Sequence, residues 1–80
     1  MKISILAFGI AKEILGSSSI SIEVAEELPV TALKKMLEAQ YPALKDIGSY
    51  RIAVNNEFAE EQTTITMADE VAIIPPVSGG

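Results

Sequence analysis

One apolar stripe constrains this chain more than any other feature. Val30, Leu33, Leu37 and Tyr41, with Met36 flanking, recur at the spacing of a single helix face, and Lys34, Lys35 and Glu38 fall outside it. Glu26 and Glu27 precede the helix and Pro29 sits near its first turn, where negative charge suits the positive end of the dipole. Pro42 stops it, because its ring disfavours helical geometry in the residue before it. A stripe of this width must be covered. In a chain of 80 residues, enough for one domain, the cover has to come from the short apolar runs on either side.

Those runs read as strands. From Lys2 to Phe8, Ile3, Ile5 and Ala7 share one face while Leu6 and Phe8 lie on the other, so both faces are partly apolar and the strand belongs at a sheet centre. Gly9 breaks it, Ile10 to Leu15 can make a short helix, and Gly16 to Ser19 forms a loop. Ile20, Ile22 and Val24 then alternate with polar residues, as in a half-buried antiparallel strand. After the helix, Ala43 to Gly48 reads as an irregular turn and Arg51 to Asn55 as a strand with Ile52 and Val54 inward. Asn55-Asn56-Glu57 offers a tight turn, Phe58 to Ile65 a short return segment, and Asp69 a last turn before the β-branched strand Glu70 to Ile74. If the first and last strands run side by side in parallel, the long crossover between them is permitted and both occupy the centre. The expectation is an α+β chain with a β-grasp fold, a mixed sheet of about five strands packed on one main helix. It divides into a domain over 1–74 and an extended tail over 75–80.

Composition excludes much chemistry. The chain has no cysteine and no histidine, which removes a disulfide framework, a thiolate nucleophile, a zinc-thiolate site and the commonest general base. Glu26-Glu27, Glu60-Glu61 and Asp69-Glu70 are adjacent carboxylates, but neighbours on a strand point to opposite faces and neighbours on a helix diverge, so they read as solvated surface. Six basic against eleven acidic residues give a net charge of −5, which opposes nucleic-acid phosphates and anionic lipid and favours a basic protein partner. No apolar run approaches the length of a membrane helix. The run from Ile3 to Ala11 is interrupted by Ser4 and passes directly into Lys12-Glu13, so it reads as strand and not as an export signal, with a cytoplasmic protein as the expectation.

The candidate site is the ending Pro75-Pro76-Val77-Ser78-Gly79-Gly80. Pro75 and Pro76 fix φ and bias the chain toward extended geometry, so the tail leaves the domain in a defined direction. Gly79 and Gly80 carry no Cβ and can thread a channel too narrow for other residues, which makes the Gly80 carboxylate the candidate reactive group; a frayed chain end is the alternative, and the glycine pair alone favours it.

The strand into Phe8-Gly9, the Val54-Asn55 strand end, the Asp69-Glu70-Val71-Ala72-Ile73-Ile74 strand and the Pro-Pro-Val-Ser-Gly-Gly ending together resemble the small, sulfur-carrying subunits of molybdopterin synthase, within the ubiquitin-like β-grasp proteins. The resemblance covers essentially the whole chain and implies a role in molybdenum cofactor biosynthesis. An adenylating, activating enzyme would use ATP and magnesium to convert the Gly80 carboxylate to an acyl-adenylate. Sulfur from a persulfide donor would replace AMP, and the resulting thiocarboxylate would donate sulfur to a cyclic pyranopterin phosphate inside the large synthase subunit, in a heterotetramer. On that reading the chain is a cosubstrate, a non-catalytic subunit of a transferase complex that binds no cofactor. Gly79 would permit passage to the buried centre, Pro75, Pro76, Val77 and Ser78 would line the partner's groove, and Phe8 with part of the sheet would anchor docking. The alternatives are a sulfur carrier for thiamine or tRNA thiolation, a ubiquitin-like protein modifier, and, in another class, a passive β-grasp interaction module.

Overall fold

The computed structural model describes residues 2–47 and 50–76. Strand β1 (Lys2–Ala7) leads into helix α1 (Gly9–Leu15), β2 (Ser19–Glu23), the two-residue β3 (Leu28–Pro29) and helix α2 (Val30–Gln40). A 3₁₀ helix (Pro42–Ile47) follows, then β4 (Arg51–Val54), β5 (Glu57–Phe58), β6 (Thr64–Ile65) and β7 (Val71–Ile74).

Five strands form one mixed sheet in the order β2-β1-β7-β4-β5, while β3 and β6 pair separately. The two central strands are parallel, with Ile5 opposite Val71, Leu6 opposite Ala72 and Ala7 opposite Ile73. β2 lies antiparallel to β1, and β4 antiparallel to β7. This is the β-grasp arrangement expected from the element order. The inward residues Ile3, Ile5, Ile52, Val71 and Ile73 share one core with Val30, Leu33 and Leu37 of α2, so the helical stripe is covered by one face of the sheet.

Several local details refine the expectation or differ from it. β1 ends at Ala7, one residue early, since Gly9 takes φ +56° and Phe8 becomes the extended N-cap of α1. The segment expected as an irregular turn is the 3₁₀ helix, which Pro42 opens and which drives Leu44 wholly into the core. Glu26 and Glu27 do not cap α2, whose first turn holds no acidic residue. The N–H groups of Val30 and Thr31 instead donate to the carbonyls of Thr63 and Glu61, at 2.9 and 3.2 Å, an alignment held by the β3–β6 pair. Tyr41 is the half-buried C-cap of α2 and packs against the core at the end of the stripe. The segment from Phe58 to Ile65 divides between two sheets, β5 pairing with β4 and β6 with β3. Asn55 and Asn56 adopt φ of +54° and +70°, the left-handed pair that a two-residue hairpin requires and that asparagine tolerates.

Among the described residues, no helix is long and apolar enough to cross a membrane.

Candidate partner-binding site

The sheet has a second face, and its register divides that face in two. Across β1 and β2, Lys2 stands opposite Glu23, Ser4 opposite Ser21 and Leu6 opposite Ser19, so this half is polar except at Leu6. Across β7, β4 and β5 the same row continues through Ala72, Ala53 and Phe58 and is apolar. Ala53 is buried yet stands outside the helix-side core cluster, as a small residue on the opposite face should. Two alanines flanked by larger side chains leave a recess of about 340 Å³, lined by Leu6, Phe8, Ala53, Asn56, Phe58, Glu70, Ala72 and Ile74. Phe8 is 50% exposed and Phe58 56% exposed. The Arg51 guanidinium lies 3.9 Å from the centroid of the Phe58 ring, close enough for a cation–π contact that orients the ring.

The tail begins beside this recess. β7 ends at Ile74, paired with Arg51, and Pro75 and Pro76 have no N–H with which to extend the ladder. Another, more open depression is lined by Phe8, Gly9, Ile10, Asp46, Ile47, Ile74, Pro75 and Pro76. Phe8 and Ile74 border both depressions, so the base of the tail is continuous with the apolar part of the sheet face. Of the residues expected in the site, Phe8, Pro75 and Pro76 thus lie together. Val77, Ser78, Gly79 and Gly80 fall outside the described residues.

Polar side chains near the hairpin act as braces. The Asp69 carboxylate accepts the backbone N–H of Thr66 and the side-chain amide of Asn55, both at 2.8 Å, and the Glu70 N–H donates to Asn55 Oδ1 at 3.0 Å. The Thr66 N–H, and then the Asn55 amide, hold the Asp69 carboxyl below the usual carboxylate range. Among the described residues, no group of His, Cys, Asp or Glu side chains could hold a metal ion.

Sequence reasoning missed Phe58, Arg51, Ala53 and Ala72 as parts of this face. The alternation along Arg51 to Val54 marks two faces, but a pair of alanines becomes a recess only when the cross-strand register sets them side by side.

Residues 5–80 match the ThiS family. The chain belongs to the ThiS family. A human relative of this ThiS-family chain, the molybdopterin synthase sulfur carrier subunit, is 35% identical over 83 residues, covering 99% of the chain and 94% of the relative. The crystal structure of SAMP1, small archaeal modifier protein 1, from Haloferax volcanii superposes with a TM-score of 0.81 at 27% identity, covering all of both chains. A complex of subunits 1 and 2 of the molybdopterin-converting factor from Helicobacter pylori contains a chain with a TM-score of 0.70 at 22% identity, again covering all of both chains, a likeness of fold. The ThiS-family chain therefore has a ubiquitin-like β-grasp fold and is akin to sulfur carrier subunits along its whole described length.

Proposed function

We propose that this chain is the sulfur carrier of molybdopterin synthase, in molybdenum cofactor biosynthesis. The observation that carries the reading is the human sulfur carrier subunit, alike over 99% of the chain, together with a family match that runs through Gly80. The chemistry follows from the carboxylate. Its charge and resonance make it a poor electrophile, so an activating enzyme with ATP and magnesium first makes the Gly80 acyl-adenylate. The terminal sulfur of a persulfide donor then displaces AMP to give an acyl disulfide, and a second thiol of the donor cleaves its S–S bond, leaving the thiocarboxylate on Gly80 and a disulfide on the donor. The thiocarboxylate, a soft nucleophile, attacks a cyclic pyranopterin phosphate within the large subunit, and two such transfers build the dithiolene that holds molybdenum.

The open sheet face suits this role. Phe8 and Phe58 are apolar anchors of the kind that dominate protein interfaces, and they sit where the tail departs, so docking on the face aims the tail at the partner's interior. The acids, bases and phosphate-binding groups belong to the partners, in keeping with a chain that has neither histidine nor cysteine. The reaction belongs in the cytoplasm, where ATP is available.

Intact-mass measurement after incubation with activating enzyme, ATP, magnesium and a sulfur donor tests this. One sulfur gained for one oxygen, followed by dithiolene formation on adding the large subunit and precursor, is the expected result. The likeness to SAMP1 favours a second reading, that of a protein modifier, for which the outcome is isopeptide conjugates to lysine without dithiolene. An unchanged mass supports a passive interaction module.

A further inference from the structure

At the root of the tail, two residues far apart in sequence meet with no space to spare. The parallel register that sets Ile5 opposite Val71 and Ala7 opposite Ile73, continued two residues at the same offset, brings Gly9 opposite Pro75. There the first strand turns away into α1 with Gly9 at φ +56°, a left-handed conformation that glycine adopts freely. A Cβ built on Gly9 would stand 3.2 Å from Cγ of Pro75, a tight contact to which the proline ring would have to yield by a few tenths of an ångström. The left-handed backbone and the missing side chain therefore serve the same contact. One turns the chain out of the way, and the other leaves the gap against which the proline ring rests.

We infer that Gly9 is a positioning residue for the root of the tail: its bare, left-handed backbone seats Pro75 and so sets the direction in which the chain leaves the sheet at Pro75 and Pro76. Neither proline has an N–H to donate to the ladder. Ring packing adds a restraint in place of the missing donors. Pro75 has Gly9 on one side and shares its depression with Ile10, Asp46 and Ile47, which come from α1 and the 3₁₀ helix. A side chain at position 9 displaces the ring and so changes the direction in which the chain leaves the sheet. The catalytic consequence rests on the sulfur-carrier reading above, whereas the conformational claim stands without it.

The test uses the full chain and exploits its lack of cysteine, so that a single Ser78→Cys substitution accepts one nitroxide label. Paramagnetic broadening of backbone amides then maps where the tail points. The otherwise unaltered labelled chain supplies the reference pattern of broadening. In Gly9→Ala it is expected to shift to other amides, and adding Pro75→Ala to Gly9→Ala should bring much of it back by removing the ring that the new Cβ strikes. In unlabelled chains, the rate of sulfur loading at Gly80 should fall roughly tenfold to a hundredfold in Gly9→Ala, the scale on which small misplacements act on positioned groups, with part of the loss recovered in the double variant. Pro75→Ala alone, a surface change that leaves the core untouched, should spread the broadening and covers the case in which Gly9→Ala does not fold. An unchanged broadening pattern in Gly9→Ala, or in Pro75→Ala if the former is unfolded, overturns the inference. So does an equal loading defect from Gly9→Ala with proline or alanine at position 75. If the unaltered chain never gains sulfur, the sulfur-carrier reading falls, and the broadening still decides the role of Gly9.

Discussion

The Tyr50 hydroxyl donates a hydrogen bond to Oε2 of Glu38 at 2.5 Å, tying the residue before β4 to the outer side of α2. Tyr50 is buried, and Lys34 Nζ lies 4.9 Å from its ring centroid, so one aromatic side chain gathers two residues that helical spacing alone marks as solvent-facing. Tyr50→Phe keeps the ring and removes the hydroxyl. It is expected to cost roughly 1–2 kcal/mol, at the lower part of the range for a hydrogen bond to a charged group because Glu38 is only half-buried. Urea denaturation at neutral pH checks this.

The same pair predicts an alkaline limb. Burial first, then the hydrogen bond and the charge of Glu38, hold the Tyr50 hydroxyl well above the ordinary tyrosine range. Its contribution is therefore fully present below the unfolded tyrosine value of about 10 and is lost as the pH rises beyond it, because the unfolded chain releases the proton while the folded chain keeps it. The difference in stability between the native chain and Tyr50→Phe should stay flat up to that pH and decline above it. A difference that grows with alkalinity contradicts the assignment.

Asp69 gives the opposite sign. Its carboxyl is lowered by the Thr66 N–H and the Asn55 amide, so its contribution is present above the ordinary carboxylate value and is lost as the pH falls through the lowered folded value. Asp69→Ala should cost roughly 1 kcal/mol at neutral pH, limited by solvent screening at this partly exposed site, and the gap to the native chain should close below about pH 4. Thermal unfolding across an acid series measures it.

Core and tail should separate cleanly under substitution. Leu37 and Leu44 are wholly buried, so Leu37→Ala or Leu44→Ala is expected to cost ~2–5 kcal/mol by opening a cavity. Removing Gly79 and Gly80 takes away no side chain and should leave the melting temperature nearly unchanged while abolishing sulfur transfer. Gly79→Val should obstruct threading without unfolding the domain. A large fall in melting temperature on the deletion, or normal turnover by Gly79→Val, would contradict this division.

Phe58→Ala should weaken binding to the large synthase subunit by roughly tenfold or more, as loss of an aromatic anchor does, with a small effect on stability because the ring is more than half exposed. Phe8→Ala should behave alike. Calorimetric titration beside a denaturation curve distinguishes this from general destabilisation.

Read in one dimension, the chain already contained its periodicities and its punctuation. The stripe from Val30 to Leu37, the alternation of Ile3, Ile5 and Ala7, the Asn55-Asn56 turn and the proline–glycine ending each depend on neighbours within a few positions, and together they implied the β-grasp order. What required the folded chain were tertiary contacts that local spacing does not set. Leu44 became core because a 3₁₀ helix folded back against α2, and the Val30 and Thr31 amides were capped by a loop thirty or more residues downstream. Alanines at 53 and 72 became the floor of a recess, and Gly9 came to face Pro75. Side-chain spacing along a strand or helix follows from local backbone geometry, but strand register and the docking of loops are fixed only when the whole core closes, because each distant contact owes its position to all the others.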